Sequence, residues 1–217
     1  MNNTKSVEAG QAAYNKMALP FYDLWVLGFS NSFLWQCPTK LLRKEFVKNV
    51  TSNHLDVGVG TGYYLDKCLN NTKRRLALLD LNPNSLESTA TRVSRFEPEI
   101  YHANILDTLD LECDKFDSIS MNYLLHCLSG TLNEKSLVFR SLRPYLNDNG
   151  IIFGSTILGK DVEIGYLARK LMSIYNQKGI FDNHQDSLSA LSSSLHEYFI
   201  EVNIQVIGCV AIFAAKI

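Results

Sequence analysis

The segment His54-Leu55-Asp56-Val57-Gly58-Val59-Gly60-Thr61-Gly62-Tyr63-Tyr64-Leu65 holds the densest group of residues able to do chemistry. Glycines at 58, 60 and 62 remove three β-carbons between a short apolar run and a helical pattern, so a ligand can lie directly against the backbone. In an open α/β sheet such a turn falls at the carboxyl edge of the strands, where ligands bind. The dinucleotide fingerprint G-x-G-x-x-G is not met, because Tyr63 stands where the third glycine belongs, and its bulk suits neither a pyrophosphate cradle nor close helix–strand packing. A glycine triplet by itself also fits a plain structural turn.

Other polar residues recur at the same edge. Asp80 ends the next apolar run with an acceptor-only carboxylate suited to two ribose hydroxyls, as a nicotinamide or an adenosyl ligand would require. Asp56 lies inside a strand and needs backbone amides or a ligand to offset its burial. Asn104 and Asn122 follow two further strand patterns. Four polar groups at four consecutive strand ends face one crevice.

The elements that position these residues alternate between short apolar runs and helical periodicity from about residue 38, which argues for an α/β domain with a mainly parallel sheet. Pro38 and Thr39 open a helix carrying Leu41, Leu42, Phe46 and Val47. Strands are expected at His54–Val59, Arg75–Asp80, Glu99–Ala103, Phe116–Met121 and Ile151–Ile157, the last after an Asn147-Asp148-Asn149-Gly150 turn that ends a helix with Leu137, Val138, Leu142 and Leu146. Ile164, Leu167, Ala168, Leu171, Ile174 and Tyr175 mark an amphipathic helix, and Leu188, Leu191 and Leu195 another. Two apolar runs, Phe199–Ile207 and Cys209–Ala215, are divided by Gly208 and read as a terminal hairpin, which makes the last strand antiparallel.

Composition narrows the function classes. The 217 residues suit one domain with modest additions, and 46% hydrophobic with 20% charged residues is ordinary globular chemistry. A formal net charge of -1 gives nucleic acid no basic footprint. The five cysteines are odd in number and lack a C-x-x-C pair, so neither a metal site nor a disulfide framework is expected. No apolar run approaches the ~18–20 residues that span a bilayer. No basic stretch followed by an apolar run marks a secretion signal, and the chain reads as soluble and cytoplasmic, a monomer or homodimer.

Together these motifs resemble the class I S-adenosylmethionine-dependent methyltransferases over nearly the whole chain. Leu55-Asp56-Val57-Gly58-Val59-Gly60-Thr61-Gly62 looks like their first motif, Leu79-Asp80-Leu81-Asn82-Pro83 like their second, and Ala103-Asn104-Ile105-Leu106 like their adenine-edge motif, where Asp is more usual than Asn. Phe116-Asp117-Ser118-Ile119 through Asn122-Tyr123-Leu124-Leu125-His126 resembles the fourth, and Leu142-Arg143-Pro144-Tyr145-Leu146 with Asn149-Gly150-Ile151-Ile152-Phe153 the helix-turn-strand that follows. The resemblance implies a Rossmann-like, seven-stranded, mainly parallel sheet with helices on both faces and an antiparallel C-terminal strand. It implies S-adenosyl-L-methionine as cofactor. Gly58 and Gly60 would pack on its methionine part with Asp56 near the amino group, Asp80 would take the ribose hydroxyls, Leu81, Asn104 and Ile105 the adenine, and Asn122 the methionine end. Loop capping is the alternative role for Asn104 and Asn122.

Residues 1–37 are rich in aromatics, among them Tyr14, Tyr22, Trp25, Phe33 and Trp35, and such a segment before the sheet commonly forms a lid in this family, with the methyltransferase domain proper at 38–217. Tyr14 is then expected at the cofactor, and Tyr22, Trp35, Tyr166 and His184 in the acceptor pocket. The alternative is a helix packed on the core. His126, just beyond Asn122, is the candidate acid–base residue; the competing role is a buried histidine that fixes the turn. The Asn/Asp-Pro-Pro-aromatic tetrad of base- and glutamine-methylating enzymes is absent after the fourth strand, and Asn122 is a poor magnesium ligand for a catechol site. Methyl transfer to O, N or S of a small, partly apolar metabolite remains. The rivals are an NAD(P)-dependent oxidoreductase and a cofactor-binding protein without transfer activity.

Overall fold

A computed structural model describes residues 30–217. Seven strands form one sheet: β1 Asn53–Val57, β2 Arg75–Asp80, β3 Glu99–His102, β4 Phe116–Asn122, β5 Leu146–Ile157, β6 Glu201–Ile207 and β7 Val210–Lys216. The helices are α1 Thr39–Asn49, α2 Tyr63–Cys68, α3 Pro83–Arg92, α4 Leu132–Lys135, α5 Leu137–Leu142, α6 Tyr166–Gln177 and α7 Leu188–Tyr198. The strand order is β3-β2-β1-β4-β5-β7-β6, with β7 antiparallel to both neighbours and every other pair of neighbours parallel. The chain proceeds outward from β1 to β3 and then returns to start β4 on the other side of β1. That reversal leaves a crevice beyond the carboxyl ends of β1 and β4, the usual place for a ligand in such a sheet.

Side chains alternate across the sheet. Leu55 and Val57 face α4, α5 and α7 through Leu132, Val138, Phe139, Leu142, Leu191 and Leu195, all buried. On the opposite face Leu76, Leu78 and Phe153 meet Phe46 of α1, Leu65 of α2 and Leu86 of α3. Further along that face Trp35 and Cys37 share a cluster with Ile157, Ala168, Met172, Val210 and Ile212, so these two residues anchor the described part of the N-terminal segment on the core while Phe33 is exposed.

Local chemistry sets several boundaries. Asn82 caps α3 by accepting from the Asn84 amide, with Pro83 in the first turn. A capping box of Thr131 and Glu134 starts α4. The helix read through Leu146 instead stops at Leu142, because Arg143–Tyr145, with Pro144 inside it, tightens into a single 3-10 turn and Leu146 begins β5. Asn147 to Gly150 is a bulge within β5, where the pairing jumps from Phe116↔Leu146 to Ser118↔Ile151. On α6, Ala168 and Met172 are buried while Leu167 and Ile174 are exposed, so the apolar face is narrower than the sequence periodicity indicates.

Candidate active site

β1 runs into a turn in which Gly58, Gly60 and Gly62 have φ of +71°, +52° and +70°. A β-carbon on Gly58 would stand 2.7 Å from Leu124 Cδ1, so the loop after β4 fills the space that the missing side chain leaves. The Gly58 N–H donates to the Leu79 carbonyl at 2.8 Å, tying the turn to β2. Asp80, at the end of β2, accepts from the Asn82 amide at 2.8 Å. Burial raises its carboxyl above the ordinary range, while the amides of Asn82, Gly60, Val59 and Leu81 pull the other way. One carboxylate therefore braces both loops beneath a would-be ribose. At the next strand end Asn104 Oδ1 accepts from the Leu106 amide at 3.1 Å, so Asn104 does cap its loop, and Ile105 beside it is buried.

Asp56 projects from the α1–α3 face of the sheet, in register with Ser120 of β4 and bonded to its hydroxyl. Burial pushes the Asp56 carboxyl up to about 7; the Ser120 bond opposes this and the charge of Asp80 adds to it.

Asp56 and the glycine turn form one wall of a cavity of about 290 Å3. Asn122, Tyr123 and His126, leaving β4, form a second wall, and Trp35, Tyr175 and Phe181 lie across from them. No lysine or arginine occurs among the described residues of the lining, and Asp56 is its sole carboxylate there. This combination of an anion and aromatic faces suits a ligand that carries ammonium and sulfonium charges. Asn122 Nδ2 is buried with no protein partner, a donor available to a ligand, while Asn122 Oδ1 accepts from Ser155 at 3.3 Å. The glycine cradle, the Asp80 carboxylate and this orphaned amide fit S-adenosylmethionine.

His126 is 2% exposed and wedged edge-on against Phe181, ring centroids 4.5 Å apart. Its Nδ1 lies 3.3 Å from the Ile157 backbone nitrogen, which can only donate, so Nδ1 carries the lone pair and the neutral ring bears its proton on Nε2. Burial, with help from the Lys135 charge, lowers its pKa to about 3. What His126 offers the cavity at neutral pH is an N–H donor.

The structure thus gathers Asp56, Gly58, Gly60, Asn122, His126 and Trp35 around one cavity and sets Asp80, Leu81, Asn104 and Ile105 at the neighbouring strand ends. Two expected pocket residues are corrected. Tyr166 is 79% exposed and His184 is exposed, and neither lines the cavity. Tyr166 sits two residues before buried Ala168, about 200° around the helix at 100° per residue, so it faces outward. Tyr175 and Phe181 take the places assigned to Tyr166 and His184. Tyr14 and Tyr22 lie outside the described residues. Lys135 was not foreseen: with Asp186 it forms a fully buried ion pair that anchors the loop bearing Phe181.

A sheet that reverses at β1 and β4, with a glycine turn, a ribose-type carboxylate and an aromatic cavity holding one carboxyl at the reversal, defines an α/β protein that binds an adenosyl cofactor. Residues 55–152 match the methyltransferase domain family. The chain is 38% identical to the physcion biosynthesis cluster O-methyltransferase of Aspergillus chevalieri, over 96% of this chain and 95% of that one. It is 36% identical to demethylluteothin O-methyltransferase of Streptomyces thioluteus, over 95% and 90%. In fold it resembles the N-methyltransferase NodS from Bradyrhizobium japonicum WM9, solved with S-adenosyl-L-homocysteine, with a TM-score of 0.65 at 15% identity over 99% and 98% of the two chains. The chain belongs to the class I S-adenosylmethionine-dependent methyltransferases and is a methyltransferase of small molecules, which sets the oxidoreductase alternative aside.

Proposed function

We propose that the protein transfers the methyl group to a hydroxyl oxygen of a small, flat, conjugated metabolite. The observation that carries this reading is the cavity itself: the aromatic rings of Trp35, Tyr175 and Phe181 share its lining with Asp56 and the glycine turn, and the His126 ring packs against Phe181. Rings of this kind favour a planar acceptor. The O-methyltransferase names of two relatives that cover nearly the full chain support oxygen over nitrogen or sulfur.

When bound, S-adenosylmethionine supplies an activated methyl on a sulfonium, with S-adenosylhomocysteine as co-product. Asp56 meets the amino group, Asp80 the ribose hydroxyls, Leu81, Ile105 and Asn104 the adenine, and Asn122 the methionine end. Alignment in a dry pocket supplies much of the rate of such a displacement. His126 serves as a donor that orients the acceptor oxygen, not as the base that removes its proton, because its lone pair is engaged by Ile157. Residues 1–37 act as the lid, Tyr14 toward the cofactor and Tyr22 and Trp35 toward the acceptor. The protein works in the cytoplasm as a monomer or homodimer, without nucleic acid.

Incubation with methyl-labelled S-adenosylmethionine and a panel of phenols, enols, amines and thiols tests the reading. Label is expected on the hydroxyl compounds, and Asp80→Ala should weaken S-adenosylhomocysteine binding by about 1.5–3 kcal/mol through lost charge-assisted hydrogen bonds. Transfer to amines or thiols alone would overturn the assignment.

A further inference from the structure

We propose that His54 is a positioning residue for the cofactor: through Ser120 it holds Asp56 as a carboxylate against the cofactor's amino group, and so sets the lower pH limit of binding. The proposal rests on the reading of Asp56 as the partner of that amino group.

His54 is two residues before Asp56 on β1 and fully buried, and the remaining buried positions of the strand, Leu55 and Val57, are apolar. Its ring stacks on Phe153 at 5.9 Å and meets the edge of Phe46 at 5.7 Å. A polar ring in such a place is costly unless both nitrogens are used. Both are: Nδ1 lies 2.8 Å from Ser118 Oγ and Nε2 3.0 Å from Ser120 Oγ. Ser118 Oγ accepts from the Thr51 amide at 3.0 Å, and Ser120 Oγ donates to Asp56.

The Asp56 end fixes the sense of this chain. An ionised Asp56 can only accept, so the single Ser120 proton points at it. His54 must then donate Nε2–H to Ser120, and the bare Nδ1 of the neutral ring is left to accept from Ser118, whose hydroxyl also lies 2.9 Å from Thr51 Oγ1. Burial keeps the ring neutral, lowering its pKa to about 3, with the Ser118 backbone opposing and the Arg74 charge adding to the effect. A neutral imidazole has one donor and one acceptor, as this relay requires.

Asp56 has few other supports among the described residues. Asp80 on β2 repels it, Ser120 faces it from β4, and Tyr64, Tyr123 and His126 share the cavity lining with it, with no lysine or arginine in the described lining. A carboxyl already pushed up to about 7 would go higher without the relay and meet an ammonium group as a neutral acid.

Calorimetric titration of the full chain with S-adenosylhomocysteine between about pH 5.5 and 8.5 tests this. Affinity of the wild type should fall on acidification with a midpoint near the Asp56 value. In His54→Leu and Ser120→Ala the midpoint should rise by about one pH unit or more, so that binding near neutrality weakens about tenfold while the alkaline plateau is kept. His54→Gln, with one donor and one acceptor, should restore much of the wild-type profile. Loss that is equal at every pH, or midpoints that coincide with wild type, would overturn the proposal. Nitrogen NMR of the wild-type His54 ring provides an independent check even where a variant does not fold: Nε2–H with a bare Nδ1 is expected, and the opposite tautomer overturns the relay. Absence of binding by the wild type at any pH would instead refute the cofactor reading, leaving the tautomer to decide the relay.

Discussion

Lys135 and Asp186 form an ion pair sealed from solvent, with Nζ 3.0 and 2.8 Å from the two carboxylate oxygens and side chains 0% and 1% exposed. The same ammonium donates to the Asp182 carbonyl, and the Asp186 carbonyl accepts from the amides of Gly159 and Lys160 at 3.0 and 3.1 Å. One buried cation thus joins α4, the end of β5 and the loop that carries Phe181 into the cavity.

Lys135→Met should therefore cost about 3–5 kcal/mol, because it strands a buried carboxylate. Lys135→Met combined with Asp186→Leu should recover most of that loss. Urea denaturation of the three proteins measures both quantities. An unchanged midpoint in the single variant would mean that the pair is solvated in solution.

Gly58→Ala places a side chain at φ +71° and a β-carbon 2.7 Å from Leu124 Cδ1. The left-handed backbone alone costs about 1–2 kcal/mol. Thermal melts should show that loss, and titration should show S-adenosylhomocysteine binding weakened about tenfold or more. Adding Leu124→Ala relieves the contact but not the dihedral, so recovery should be partial. Full recovery would assign the whole effect to the clash.

His126 has its pKa lowered to about 3 in the fold against 6.5 for a free histidine, so between those values the unfolded chain binds a proton that the folded chain does not. Its contribution is fully present above about pH 6.5 and is lost as pH falls toward 3, at about 1.4 kcal/mol per pH unit. His126→Phe removes this term. Between about pH 6.5 and 4.5 the variant should lose about 2–3 kcal/mol less stability than wild type in urea titrations. Parallel stability curves would show that His126 is protonated in the folded protein.

The strands were legible where composition and turns agreed. Arg75–Asp80 is observed with the bounds that the sequence indicates, and the Gly208 hairpin appears as β6 and β7. The placement of the glycine turn and of Asp80 was legible too, because glycines and a terminal carboxylate mark strand ends directly. Less legible were features that depend on rotation or on distant pairing. Apolar spacing gives the period of α6 but not which edge of its stripe meets the core, so Tyr166 and Tyr175 could not be told apart. Nothing local to Lys135 announces Asp186, and nothing around His54 announces Ser118 and Ser120, since β4 must first lie beside β1. Pro144 does announce the end of α5, although the apolar spacing through Leu146 obscures it.

The wall built by Trp35 rests on the far end of the sheet. The Trp35 carbonyl accepts from the Cys209 amide at 3.1 Å, a β-carbon on Gly208 would lie 2.2 Å from that same oxygen, and β7 sits between β5 and β6. A nascent chain whose residue 209 has not yet emerged from the ribosomal tunnel therefore lacks both the inner strand and the prop behind Trp35. Contacts of such long sequence separation form late and expose apolar surface while they wait. The wall that Trp35 gives the cavity is thus completed only once residue 209 is available, and a ribosome stalled before it would display a glycine turn without that wall.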